Sequence, residues 1–250
     1  MRWLGLASLL LIAPALAAQE KTPTPVTLKL HAAAAPTPAL KYYLLPAVRD
    51  LQPGNAAVFY QRAHSPDLRR NLDPLFAKMT HWLETPTKEW QSSDARALLN
   101  SAIYKELDRA ARCENCDWQM TARLRDEGIA LLVPDLQTFR QMADLLAVKA
   151  RLDQFDGRTD EAVHTLQTGL GMGRHVGECP IVMNALVGMA ITHVMLGSLE
   201  EFVQRPGAPN LYWALRDLPE PFIDLRRPLQ GDRMAVDAWW PEIRKALGEP

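Results

Sequence analysis

The sequence predicts an all-α fold of stacked antiparallel helical hairpins. Three observations carry that prediction. Between residues 92 and 170, apolar side chains recur every three or four positions, the spacing of helices with one buried face. Gly157 then separates two such runs by a turn so short that its helices must lie antiparallel. Period-two alternation, the mark of a strand, occurs only in VTLKL at 26–30.

Taken in order, residues 1–17 read MRWLGLASLLLIAPALA: one cation at Arg2, an apolar run from Trp3, Pro14 as a breaker, and a small-x-small end at Ala15-Leu16-Ala17. This is the pattern of a cleavable secretory signal. The run is about 15 residues, short of the roughly 20 that a spanning helix needs, and no cysteine follows it to carry a lipid. Export to the periplasm or beyond the cell is the expectation, with no membrane span once the leader is removed. The formal charge of −1 becomes −2 without Arg2, and the charges are mixed along the chain, so nucleic acid and anionic membranes are not favoured partners.

Residues 18–40 hold two PTP units and an alanine run with few large apolar side chains, the composition of a flexible linker. The helical domain then spans 41–250. Proline at 19 copies against glycine at 13 predicts short elements divided by breakers. Residues 92–112 form a helix by the spacing of Ala95, Leu98, Leu99, Ile103 and Leu107. Pro134 suits a helical first turn, and Leu136, Phe139, Met142, Leu145, Leu146 and Leu152 continue that helix to Gly157. Thr159 is placed to cap the next, which carries Ala162, Val163, Leu166 and Leu170 on one side. GLGMG at 169–173 follows as a frayed or kinked helix end.

From Pro180, IVMNALVGMAITHVML is apolar on nearly every side, which predicts a helix surrounded by others, with His193 as a core residue. Asn184, Gly188, Thr192 and His193 interrupt it and disfavour a membrane span. Ser198 to Glu201 match a capping box that restarts helix after Gly197. Asn210 can cap a short helix bearing Leu211, Leu215 and Leu218, and MAVDAWWPEIRKAL closes the chain as a last helix.

The positions Leu146, Ala150, Gly157, Ala162, Leu166 and Leu170 resemble a tetratricopeptide repeat, in which small residues let paired helices approach closely. The similar region covers about 134–204. A second, more degenerate copy includes Leu186, Ala190 and Gly197. Gly169 stands where the family usually has alanine, Asp153 where it has an aromatic, and Phe202 where the second copy needs a small residue. Separately, LKYYLLPAVRDLQPGNAA, CDW, PNLYWAL and LPEPFIDLR resemble a group of exported bacterial proteins of no established activity. That resemblance implies export and a helical fold and supplies no catalytic residue.

The chemistry-bearing candidates are few. Cys113-x2-Cys116 lacks the strand-to-helix setting of a thioredoxin-like site, and Asp117 stands where haem attachment needs histidine. Three readings stay open: a Cys3His zinc site completed by His175-x3-Cys179, a disulfide within the pair or to Cys179, or buried free thiols. Asp117-Trp118 marks a helix start, and His164 with Glu161 one turn before it reads as a solvated face. No phosphate loop, HExxH, GxGxxG or nucleophile elbow is present, so no cofactor is expected. An enzymatic site would have to be assembled around Asp117, His175 and Glu178. Tyr212, Trp213, Trp239 and Trp240 are the candidates for a binding surface. The functional expectation is a non-catalytic module for a protein or peptide partner, since stacked helices offer grooves to extended segments.

Overall fold

The computed structural model describes residues 27–70, 73–90, 95–96, 101–128, 131, 136–246 and 248. The expected leader at 1–17, residues 92–94 and Pro134 lie outside the described residues; the single helix expected over 92–112 is broken at Ser101, which is extended (ψ 146°) and accepts from Tyr104 N to start a new helix. What is described is all-α apart from two very short strands. The helices are α1 (Ala56–Ala63), α2 (Pro66–Arg69), α3 (Asp73–Glu84), α4 (Ala102–Ala111), α5 (Met120–Glu127), α6 (Leu136–Phe155), α7 (Thr159–Gly177), α8 (Val182–Val203), α9 (Tyr212–Arg216) and α10 (Arg226–Ala246). The strands are β1 (Gln52–Asn55) and β2 (Cys113–Asn115), paired in parallel with Gln52 opposite Cys113 and Asn55 opposite Asn115. Sequence periodicity missed both, because QPGN and CEN carry neither alternation nor β-branched residues. VTLKL, the one stretch that alternates, forms no strand in its described part, 27–30.

Three long helices, α6, α7 and α8, pack pairwise on one another and form the centre. Gly157, at φ +74°, turns α6 into α7, a conformation that costs other residues more. The cap at this turn is not Thr159: the helix begins there, with Arg158 as the flanking residue. Leu145, Leu146, Leu152, Leu166 and Leu170 are fully buried in the resulting core.

α7 and α8 approach unusually closely, and glycine is the cause. GLGMG is not a helix end. It lies within α7, and Gly169, Gly173 and Gly177, four apart, line the face turned to α8 and to Ile223 ahead of α10. A Cβ on Gly169 would stand 2.0 Å from the Met195 sulfur, and one on Gly188 would stand 2.6 Å from the Gly173 carbonyl oxygen. α8 also runs unbroken through the expected restart: Ser198 Oγ donates to the Val194 carbonyl, 3.3 Å, instead of capping anything.

A charged cluster is buried where α6 meets α7. Lys149 Nζ donates to Asp153 Oδ2 at 2.6 Å and to Thr165 Oγ1 at 3.1 Å, and stands 4.4 Å from the centre of the Tyr104 ring. Arg158 donates to Asp153 Oδ1 at 2.7 Å and to Asp156, which in turn takes a two-pronged contact from Arg96. Asp153, the departure from the repeat pattern, is therefore the hub that closes the hairpin.

Ahead of this core, residues 27–36 form no regular element. They lie beside the end of α8, with Lys29 N donating to Gln204 Oε1 at 3.2 Å and Asn210 Nδ2 donating to the Ala33 carbonyl at 3.3 Å.

Candidate functional site

The strand pair fixes the surroundings of CENCDW. Asn55, at the end of β1, caps α1 through Ala57 N and also pairs with the Asp117 backbone, accepting from its N–H at 2.9 Å and donating to its carbonyl at 2.8 Å. Asp117 Oδ1 accepts from Gln119 N, a turn that precedes α5 by two residues, so its carboxylate is committed to local backbone. That turn drives Trp118 inward, where its ring stacks on Tyr60 at 5.7 Å and meets Phe139 edge-on at 5.5 Å.

His175, on α7, completes this aromatic node. Its Nδ1 is 3.0 Å from the Tyr60 hydroxyl, and its carbonyl accepts from Trp118 Nε1 at 2.9 Å. Burial, with the nearby charge of Arg174, pulls its pKa down to about 4. Burial pushes the Tyr60 phenol well above its ordinary range. A neutral ring held by a neutral phenol is a packing arrangement. Of the other members of the conceivable enzymatic set, Glu178 pairs with Arg174 at 2.7 Å and Asp117 is exposed.

A pH dependence follows from His175. The unfolded chain takes up a proton near pH 6.5, while the folded chain resists it until about pH 4. Between those values the unfolded state holds more protons, so stability is lost as pH falls. The loss attributable to this ring is about 2 kcal/mol by pH 5. Urea midpoints of the protein measured at pH 7.5 and pH 5 check this: His175→Gln flattens the difference, and an unchanged slope refutes the assignment.

The three cysteines are free, so the disulfide expected from export is not formed. Cys113 and Cys179 are buried and Cys116 is half-buried. Burial raises all three thiols, Cys179 to about 12, and at Cys116 the charge of Glu178 adds to the effect. Protonated thiols are poor nucleophiles. Nor is the zinc set gathered: among the described residues no three His, Cys, Asp or Glu side chains are grouped to hold a metal ion, and His175 is turned to Tyr60.

Sequence reasoning missed a second polar cluster between α4 and α7. Its members read as ordinary surface residues in the sequence because Asp108 and Arg112 lie more than fifty positions from His164 and Thr168. His164 is exposed yet not merely solvated. Its Nε2 is 2.8 Å from Asp108 Oδ1, and its Nδ1 is 2.9 Å from Arg112 Nη2. Arg112 has only donors, so Nδ1 must accept and Nε2–H must donate to Asp108. Both ring nitrogens are thereby used. Asp108 is further bound by Arg112 at 2.5 Å and by Thr168 at 2.9 Å, and these contacts outweigh its partial burial and hold its pKa below the ordinary value. Gln167 joins the cluster to the chain before α1, donating to the Leu45 carbonyl at 2.9 Å. The geometry is that of an interhelical clamp.

The aromatic candidates divide. Trp239 is structural: its Nε1 donates to the Glu127 carbonyl at 3.1 Å, and its ring lies where Gly128 has no side chain. Trp240 is 50% exposed. Tyr212 and Trp213 are 57% and 47% exposed, with their rings edge-to-face at 5.1 Å. Asn210 fixes the start of their helix by accepting from Tyr212 N at 2.9 Å. Leu211 and Ala214 anchor it in the core, whereas Leu215, expected on the buried side, points outward. Beside this segment a cavity of about 440 Å³ is formed by residues 31–37 with Tyr42 and Gly207 to Asn210. No family model, curated protein or solved structure matches this chain.

Proposed function

We propose that the chain is an exported, tetratricopeptide-like helical module that binds a protein or peptide partner and performs no chemistry of its own. The observation that carries this reading is the Tyr212–Trp213 pair. Two consecutive large aromatics stand in water on a short helix whose opposite side is anchored in the core. Rigid amphipathic rings of this kind give much contact area for little lost side-chain entropy. The adjoining cavity, about 440 Å³ and walled by His31 to Ala34, Pro36, Thr37 and Tyr42, leaves room beside the pair for a bound segment. The titratable groups support a binding role too, since His175, His164, Asp117 and Glu178 are each engaged by structural partners.

The test is selection of a displayed random-peptide library on the purified protein. Sequences enriched on the wild type are expected to lose about 100-fold in affinity for Trp213→Ala and Tyr212→Ala, while circular dichroism of both variants stays unchanged. Enriched peptides that bind both variants as well as the wild type would refute this surface as the site.

A further inference from the structure

We infer that the surface formed by Tyr212, Trp213 and the adjoining cavity selects proline-rich segments in the polyproline II conformation, an inference that rests on the peptide-binding reading given above. The hydrogen-bond donors left unspent at this surface carry it. Trp90, Trp118 and Trp239 each donate the indole N–H to a carbonyl, of Thr85, His175 and Glu127 in turn. Trp213 Nε1 and the Tyr212 hydroxyl have no such partner among the described residues. Their two rings, 5.1 Å apart and 82° to each other, therefore form a half-exposed corner with a free donor on each ring.

A polyproline II segment is the complement of that corner. It makes no internal hydrogen bonds, so its carbonyls are free to accept, and its prolines have no N–H that asks for an acceptor. Pyrrolidine rings pack on aromatic faces, and the segment is stiff before it binds, so little conformational entropy is lost.

The cavity wall disfavours the other ways of holding a peptide. Adding a strand needs a run of free backbone groups, but the Ala33 carbonyl is spent on Asn210 Nδ2, Ala208 N on the Arg205 carbonyl, and Pro36 and Pro209 have no N–H to give. Seating an amphipathic helix needs a slot for large aliphatic side chains. Among the described residues no Leu, Ile, Val, Met or Phe lines the cavity, and Tyr42 is its one aromatic. An acidic or phosphorylated peptide would need a cluster of cations. Lys41 is the one lysine or arginine in the wall, its Nζ is 3.0 Å from the Tyr42 hydroxyl, and no Asp or Glu stands with it. A wall so poor in charge is matched by an uncharged segment.

Fluorescence anisotropy with labelled decaproline tests the inference, against Gly–Ser and Val–Thr decamers carrying the same label. Decaproline is expected to bind the purified full chain saturably below millimolar concentration, at least about 10-fold more tightly than either control. Trp213→Phe and Tyr212→Phe keep the rings and remove only the donors, and each should weaken binding about 5- to 10-fold with circular dichroism unchanged. Decaproline that binds no better than the controls, or that ignores both substitutions, overturns the inference. The displayed library separates this failure from that of the surface itself. Enriched peptides that depend on Trp213 but carry no excess of proline overturn the polyproline class and leave the surface standing, whereas the absence of any Trp213-dependent peptide brings down both.

Discussion

Asp153→Ala is expected to lower stability by about 3–5 kcal/mol, close to unfolding a domain of ordinary stability. Asp153 is 1% exposed and Lys149 7%, so the ammonium left behind has no water to turn to. Its remaining neighbours are Thr165 Oγ1 and the Tyr104 ring, neither of which carries a charge. Arg158 loses its contacts with Asp153 at the same time and keeps only Asp156. Most of the loss belongs to the stranded cation, which makes a second expectation specific. Lys149→Met with Asp153→Leu, which removes both charges and keeps the volume, should recover most of the stability in urea unfolding. Recovery that fails would mean that Asp153 acts mainly through Arg158 and the turn at Gly157.

That hub also marks the limit of what the sequence makes legible. The α6–α7 hairpin could be read directly, since Leu146, Ala150, Gly157, Ala162 and Leu166 express local geometry in local spacing. Asp153 registers there only as a departure from a pattern: Lys149 is its i,i+4 neighbour on α6, but Arg158 and Thr165 reach it only after the hairpin closes. The strand pair escaped for a stronger version of the same reason: β1 and β2 are four and three residues long and sixty positions apart. Tyr212 and Trp213 could be singled out as surface candidates, but that Trp239 is a staple depends on Gly128 lying beneath it.

α8 shows a different failure. A run apolar on every side was read as a helix buried on every side, yet hydropathy measures the side chain and not the space available to it. Close packing against α7 puts Asn184, Ala185, Gly188 and Ser198 on the inner side, where Val187, Ile191, Met195, Leu199 and Phe202 are buried beside them. The outer face keeps Met183, Leu186, Met189 and Leu196, and His193, expected in the core, is exposed. The signal that separates the two is the period of four in Gly169, Gly173 and Gly177 on the neighbouring helix, which announces a close crossing.

The close crossing itself can be tested by giving it side chains. Gly188→Leu is expected to cost about 3 kcal/mol or more, because the first added carbon already lies 2.6 Å from Gly173 O and from Gly177 N and Cα. Those are backbone atoms of a buried helix, which no rotamer change can move aside. α7 and α8 would have to separate, and the contacts of Met195 with Gly169 and of Thr192 with Gly173 would open with them. Gly188→Ala makes the sign decisive. In an unobstructed helix, glycine to alanine gains up to about 1 kcal/mol. Gly197→Ala, on the same helix with nothing within 4 Å, should show that gain. Gly188→Ala should instead lose stability. Equal gains at both positions would mean that α7 and α8 do not pack at the distance described.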